Sequence, residues 1–131
     1  MTPTLLDAKD IDLFQLARLL GDGQWPDATL DLGRLAEMVR GSSRIIWAGD
    51  GKRLIAFGAS LTDGALFGLV THVVVRKDCR RLGIGKAVVE RLIAGHKGVR
   101  FAMRVPPDAA GFCESVGFTA GSEPYRYRVS G

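Results

Sequence analysis

The apolar residues of this chain first change period at Gly41, from helical spacing to strand-like runs, and after that helical and strand-like stretches alternate, which limits the architecture to a mixed one. Before it, Ile11, Phe14, Ala17 and Leu20 recur at helical spacing after Asp10, and Gly21-Asp22-Gly23 stops the run. A loop with Trp25-Pro26 follows, then a second amphipathic stretch from Leu30 to Arg40, with Leu32, Leu35, Ala36 and Val39 on one face. Beyond Gly41 the pattern becomes strand-like. Arg44 to Ala48 and Arg53 to Ser60 flank the hairpin signal Gly49-Asp50-Gly51-Lys52, and after the turn at Thr62-Asp63-Gly64 a strand from Ala65 ends in the buried-type run Val73-Val74-Val75. A glycine-punctuated loop then opens a helix over Gly83 to His96, closed by Gly95 and Gly98. Val99 to Val105 reads as a strand and Pro106-Pro107 as a break. Asp108 is the expected N-cap of a short helix to Val116, stopped by Gly117, and the alternation of Tyr125, Tyr127 and Val129 suits a last strand. With an edge strand at Thr4 to Leu6, the order is strand, two helices, three antiparallel strands, helix, strand, helix, strand. That describes an α/β (α+β) domain around a mixed, mostly antiparallel sheet flanked by helices, and 131 residues make one domain, 1–131.

An apolar content of 47% with 24% charged residues excludes a disordered chain or a coiled coil. The longest run without a formal charge, Gly64 to Val75, is twelve residues, too short for a membrane-spanning helix. Met1 to Asp10 has neither a basic region nor an apolar core, so no signal peptide, no membrane partner and a cytoplasmic location are expected. Cys79 and Cys113, like His72 and His96, lack metal-site spacing; no metal is expected, and both thiols should be reduced.

The charge is uneven. Residues 1–39 carry three bases against seven acids, whereas residues 76–104 carry nine bases against two. The basic segment would attract an anion. Nucleic acid is one such anion, but no aromatic residue interrupts the segment before Phe101, which argues against a base-stacking surface.

Within that segment, Val75 leads through Arg80-Arg81-Leu82-Gly83-Ile84-Gly85-Lys86 onto the first turn of a helix. Helix-initial amides lack internal partners and carry partial positive charge, and two glycines let a phosphate approach them. A pyrophosphate cradle is therefore expected here. It is no Walker loop, because Ala87 follows Lys86, and no dinucleotide fingerprint, because Val88 stands where a third glycine is needed.

Arg80-Arg81-Leu82-Gly83-Ile84-Gly85 resembles the acyl-CoA motif of the GNAT superfamily of N-acetyltransferases, Arg/Gln-x-x-Gly-x-Gly/Ala. Thr62-Asp63-Gly64, His72-Val73-Val74-Val75 and Phe112-Cys113-Glu114-Ser115-Val116-Gly117-Phe118 are similar to the flanking blocks, and the likeness runs from Leu5 over nearly the whole chain. The resemblance implies a GNAT fold with a splayed central strand pair and acetyl-CoA as co-substrate. Its acetyl group would pass directly to an amine on a small molecule or a peptide. Val73, Val74 and Val75 would pair with the pantetheine arm, and Arg80, Arg81, Leu82, Gly83, Ile84, Gly85 and Lys86 would hold the pyrophosphate. GNAT proteins are often dimers, so a homodimer is a further expectation.

The family often uses a Tyr of the last helix to protonate the departing thiolate; the matching position here is Cys113. Cys113 can be that acid or a structural thiol, and Tyr125 or Tyr127 can reach the site or pack across strands. His72, where relatives often carry an acid, can be the base that deprotonates the amine or a hydrogen-bonded core residue. Alternation places His72 and Val74 on one sheet face and Val73 and Val75 on the other. Trp25 can cover the acceptor or fill the core. The missing Tyr leaves open a different class, a CoA-binding sensor or assembly module with weak or no turnover.

Overall fold

The computed structural model describes residues 3–105 and 110–119. Strand β1 (Leu6–Asp7) is followed by helices α1 (Leu13–Asp22) and α2 (Leu32–Gly41), strands β2 (Arg44–Gly49), β3 (Leu54–Thr62) and β4 (Phe67–Val75), and a 3-10 turn (Lys77–Cys79). Helix α3 (Ile84–Ile93), strand β5 (Arg100–Met103) and helix α4 (Ala110–Ser115) complete the order. The five strands form one sheet in the order β1-β2-β3-β4-β5, antiparallel except for the parallel β4–β5 pair. This is the expected mixed α/β architecture. The expected N-cap Asp108, and Tyr125 and Tyr127 with their strand, lie outside the described residues.

Both N-terminal helices begin on an aspartate. Asp12 Oδ1 accepts from the Gln15 amide at 3.0 Å, and Asp31 Oδ1 from the Arg34 amide at 3.1 Å. The first cap is therefore Asp12, two residues later than the Asp10 start read from periodicity, and the helix turns accordingly. Its buried face is Leu16, Ala17, Leu19 and Leu20, and Phe14, expected inside, is 58% exposed. The hairpin turns are built by side chains too. Asp50 Oδ1 accepts from the Lys52 and Arg53 amides, and Asp63 Oδ1 from those of Ala65, Leu66 and Phe67.

Helices cover both faces of the sheet. Leu16, Leu20, Leu35 and Val39 pack on Ile45, Phe57, Ala59 and Val74. On the other face Ile84, Val88, Val89 and Leu92 pack on Ile46, Ile55, Ala56, Val70 and Val73. Each fully buried side chain of this size contributes about 1.5–3 kcal/mol. At Gly58 helix α3 comes so close that a Cβ would collide with Val88 Cγ1.

Two features of β4 prepare the site. Ala59 pairs with His72 but Ser60 with Val70, so Thr71 is an extra residue in the strand, a bulge whose hydroxyl donates to the Ala59 carbonyl. The bulge resets alternation: Val70 and Val73 both face α3, while His72 and Val74 face α1 and α2. Pairing with β5 then stops. Val70 opposite Met103 is the last partner pair and Arg104 N–H to Val70 O the last main-chain bond, so from Thr71 onward β4 parts from β5.

Candidate active site

A cleft of about 650 Å³ opens where the two strands separate. Its floor is Val73, Val74 and Val75. One end is formed by Cys79, Arg80, Arg81 and Gly83 with the first turn of α3, Ile84, Gly85 and Lys86. The other end is closed by Gly23 and Trp25 from the α1–α2 loop, and Phe112 and Ser115 of α4 form a wall. Nine of the ten residues expected to bind acyl-CoA thus line one cavity. The tenth, Leu82, has an exposed side chain and is absent from the lining.

The α3 end is shaped for an anion. Gly83 caps the helix in the left-handed region, φ +79°, and Arg81 is left-handed as well, φ +66°. The first helical bond runs from Ala87 N–H to the Gly83 carbonyl at 3.1 Å, so the amides of Ile84, Gly85 and Lys86 emerge from the helix end without an intrahelical partner. A Cβ on Gly83 would meet nothing within 4 Å. Arg80 Nε donates to the Val75 carbonyl at 3.1 Å, which ties the loop to the end of β4. Beneath it, Arg76 Nε pairs with Asp78 Oδ1 at 2.6 Å and Arg76 Nη2 touches Cys79 Sγ at 3.3 Å. A diphosphate fits this arrangement: three free amides, a helix dipole and nearby cations converge on one open space.

At the other end the structure assembles a cluster that sequence spacing did not reveal. His72 is 6% exposed and absent from the cleft lining. Its Nδ1 lies 3.1 Å from Thr71 Oγ1 and its Nε2 3.2 Å from Asp27 Oδ2. Arg104 Nη1 lies 3.0 Å from the same carboxylate oxygen, 3.3 Å from His72 Nε2 and 3.3 Å from the Thr71 carbonyl. Trp25, 4% exposed, packs against these groups, with its ring centroid 4.9 Å from that of His72 and 5.0 Å from the Arg104 guanidinium carbon. Asp27 is 77 residues from Arg104, and no local motif links them.

Burial pushes the His72 imidazole below its ordinary value, and Arg104 adds to the effect; Asp27 opposes both without overcoming them. The neutral form of the ring is therefore favoured, and its contact with Asp27 is not an ion pair near pH 7. Burial would raise the Asp27 carboxyl, but the Arg104 hydrogen bond and the neighbouring positive charge hold it below the usual carboxylate range.

Cys113 is half-buried, and its Sγ lies 3.4 Å from Met103 Sδ, on the β5 side of α4. It does not line the cleft; its helix neighbours Phe112 and Ser115 do. Burial pushes the thiol up, with Glu114 adding to the effect. Among the described residues no His/Cys/Asp/Glu group could hold a metal ion, and no helix is long and apolar enough to cross a membrane.

Comparison with known proteins agrees with this geometry. The chain is 33% identical over 92 residues to chloroplastic serotonin N-acetyltransferase 2 of Oryza sativa subsp. japonica, which covers 64% of this chain and 46% of that protein. It spans about half the length of that relative. Its fold matches the ribosomal-protein-alanine N-acetyltransferase of Brucella melitensis biovar Abortus 2308 at a TM-score of 0.74 and 20% identity, over 98% of this chain and 100% of the other. It also matches an aminoglycoside acetyltransferase from an uncultured soil metagenomic sample, solved with sisomicin, at 0.71 and 17%, over 97% and 95%. The sequence profile of the acetyltransferase (GNAT) domain matches residues 41–120, from the approach to β2 through the cradle and past α4, and on that match the chain belongs to the GNAT acetyltransferase family.

Proposed function

We propose that the protein is an N-acetyltransferase that moves the acetyl group of acetyl-CoA directly to a primary amine. The observation that carries this reading is the continuity of the cleft. One cavity joins the glycine-opened first turn of α3, the stretch of β4 beyond Thr71 that pairs with no part of β5, and Trp25 at its other end. Acetyl-CoA supplies an activated thioester: the amine nitrogen bonds to its carbonyl carbon, the carbon–sulfur bond breaks, and the amine proton is lost as CoA thiol forms.

The residues take the following parts. Amides of Ile84, Gly85 and Lys86, with Arg80 and Arg81, bind the diphosphate. Main-chain groups of Val73 to Val75 align the pantetheine arm, and an amide there polarises the thioester carbonyl. Trp25 covers the apolar part of the acceptor. His72, with both ring nitrogens engaged and no exposure to the cleft, exchanges a proton with the amine only through Asp27, whose side chain is half exposed, or through water. Relatives suggest three acceptor classes for the first screen: an arylalkylamine such as serotonin, an aminoglycoside, and a peptide with N-terminal alanine.

The test is thiol release from acetyl-CoA across that panel, together with thermal denaturation in the presence of CoA. Stabilisation by CoA with amine-dependent thiol release is expected; the absence of CoA stabilisation refutes the site. A second reading, a CoA-binding sensor or assembly module with weak or no turnover, draws on the Cys113 thiol lying on Met103 outside the cleft. It predicts CoA stabilisation without thiol release for any amine.

A further inference from the structure

Arg104 is the first residue beyond β5 and stands where β4 and β5 part. Its main-chain N–H closes the last β4–β5 bond, to Val70 O at 3.0 Å, and its guanidinium reaches across the gap to the Thr71 carbonyl at 3.3 Å. The same Nη1 lies 3.0 Å from Asp27 Oδ2, and the guanidinium carbon lies 5.0 Å from the Trp25 ring centroid. One residue therefore joins the end of β5 to β4 through its main chain, and its side chain touches β4 and, twice, the loop between α1 and α2.

The His72 ring makes this arrangement depend on a cation. A neutral imidazole protonates one nitrogen only. If Nε2 carries the proton, it donates to Asp27, and Nδ1 accepts from the Thr71 hydroxyl. If Nδ1 carries it, Thr71 Oγ1 accepts and passes its own proton to the Ala59 carbonyl, while Nε2 accepts from Arg104. In either case Arg104 is, among the described residues, the charged side chain that pairs with the half-exposed Asp27 carboxylate. Acyl-CoA entering from the cradle runs from Val75 toward Val73, so its reactive end meets the fork beside Trp25.

We propose that Arg104 is a positioning residue: it clasps the α1–α2 loop across the fork between β4 and β5, and so fixes Trp25 at the acceptor end of the cleft. The proposal rests on the acetyl-transfer reading for what the cleft end receives, but the clasp can be measured without turnover. Guanidinium chemistry is needed because its plane can lie over an indole while its edge donates to a carboxylate, which a lysine ammonium cannot do in one pose.

The experiment compares Arg104→Ala, Arg104→Gln and Arg104→Lys with the parent, each in a Trp47→Phe background so that fluorescence reports Trp25 alone. Expected for Arg104→Ala and Arg104→Gln are a red-shifted Trp25 emission, a KM for the best amine raised at least tenfold, a kcat changed less than threefold, and a Kd for CoA within twofold of the parent. Arg104→Lys should restore part of the KM but not the emission. Unmoved emission overturns the clasp. So does a CoA Kd that weakens in step with the amine KM, because the cradle lies at the opposite end and a general loss of structure would weaken both. If no amine is turned over by the parent, the acetyl-transfer reading falls, while a shifted emission with unchanged CoA affinity still upholds the clasp. Failure of all three variants to fold overturns the assignment and makes Arg104 a determinant of stability instead.

Discussion

Replacing Gly83 by alanine separates the cost of a backbone conformation from the cost of losing a ligand. Gly83 sits at φ +79° with nothing within 4 Å of where a Cβ would stand, so alanine meets no clash and bears only the left-handed strain. That strain costs about 1–2 kcal/mol. Alanine recovers roughly 0.4–1 kcal/mol by restricting the unfolded chain, which leaves a net loss of about 1 kcal/mol. For a domain of this size that lowers Tm by roughly 3–5 °C. Gly64, in the β3–β4 turn at φ +77° and also with nothing within 4 Å, provides a matched control far from the cleft. Gly64→Ala should lose about the same stability. The two should diverge when CoA is added. At a concentration one hundred times its Kd, CoA stabilises the parent and Gly64→Ala by about 2.7 kcal/mol. In Gly83→Ala the new methyl sits on the cap of α3, a residue that lines the cleft. If affinity falls a hundredfold, the same concentration stabilises by only about 0.4 kcal/mol. Thermal denaturation with and without CoA measures all of these. Full CoA stabilisation of Gly83→Ala, or CoA stabilisation reduced equally in both variants, would refute the placement of the diphosphate on the Ile84–Lys86 amides.

Stability should fall as the solution becomes acidic, in two stages. Because the folded-state pKa of His72 is depressed, the unfolded chain takes up a proton below about pH 6.5 that the folded chain refuses. Its contribution is full above that pH and is lost toward the lower folded pKa; Asp27, also depressed, loses its contribution further down, below about pH 3.8. Urea unfolding at pH 7.5 and pH 5 should show the first stage in the parent and not in His72→Gln; equal pH dependence in both would contradict a buried neutral imidazole. Gly58→Ala drives a methyl into Val88 Cγ1 and to 3.0 Å from Leu92 Cδ1, so it should cost about 1–3 kcal/mol by denaturant unfolding. Val88→Ala in the same chain should restore part of that, and strict additivity of the two would show that the contact is not the cause. Asp12→Ala should cost about 1 kcal/mol through the lost α1 cap, whereas Asp10→Ala should be close to neutral; the reverse order would return the helix start to Asp10.

What the sequence disclosed and what it withheld divide along the range of the interactions. The cradle was legible because its parts are contiguous: a strand end, a basic loop and a glycine opening a helix are neighbours in the chain, and the local geometry of Gly83 follows from its lack of a Cβ. The helix start was less so. Asp10 and Asp12 both precede an apolar run, and the choice between them rests on which carboxylate reaches an amide three residues on. Phe14, two residues before Leu16, falls on the side of the helix away from Leu16 and Leu20 and so lies at the surface rather than in the expected interior. The Asp27–His72–Arg104 cluster had no sequence signal at all, since its members come from a loop, a strand and a strand end that meet only once the sheet has formed.

The bulge at Thr71 shows why strand periodicity alone could place His72 yet leave its partners unknown. Counting by two from Val75 puts Val73 on the α3 face and His72 on the α1–α2 face, and the structure has both there. Counting on to Val70 fails, because the extra residue returns Val70 to the α3 face. Were Thr71 paired in regular alternation instead of bulged out, Val70 and His72 would share the α1–α2 face. The Thr71 carbonyl would also no longer be the first unpaired acceptor beyond β5, the one Arg104 reaches. The added residue in β4 thus stands where the pairing with β5 ends, and it supplies two of the groups at the far end of the cleft: the hydroxyl beside His72 and the carbonyl that accepts from Arg104.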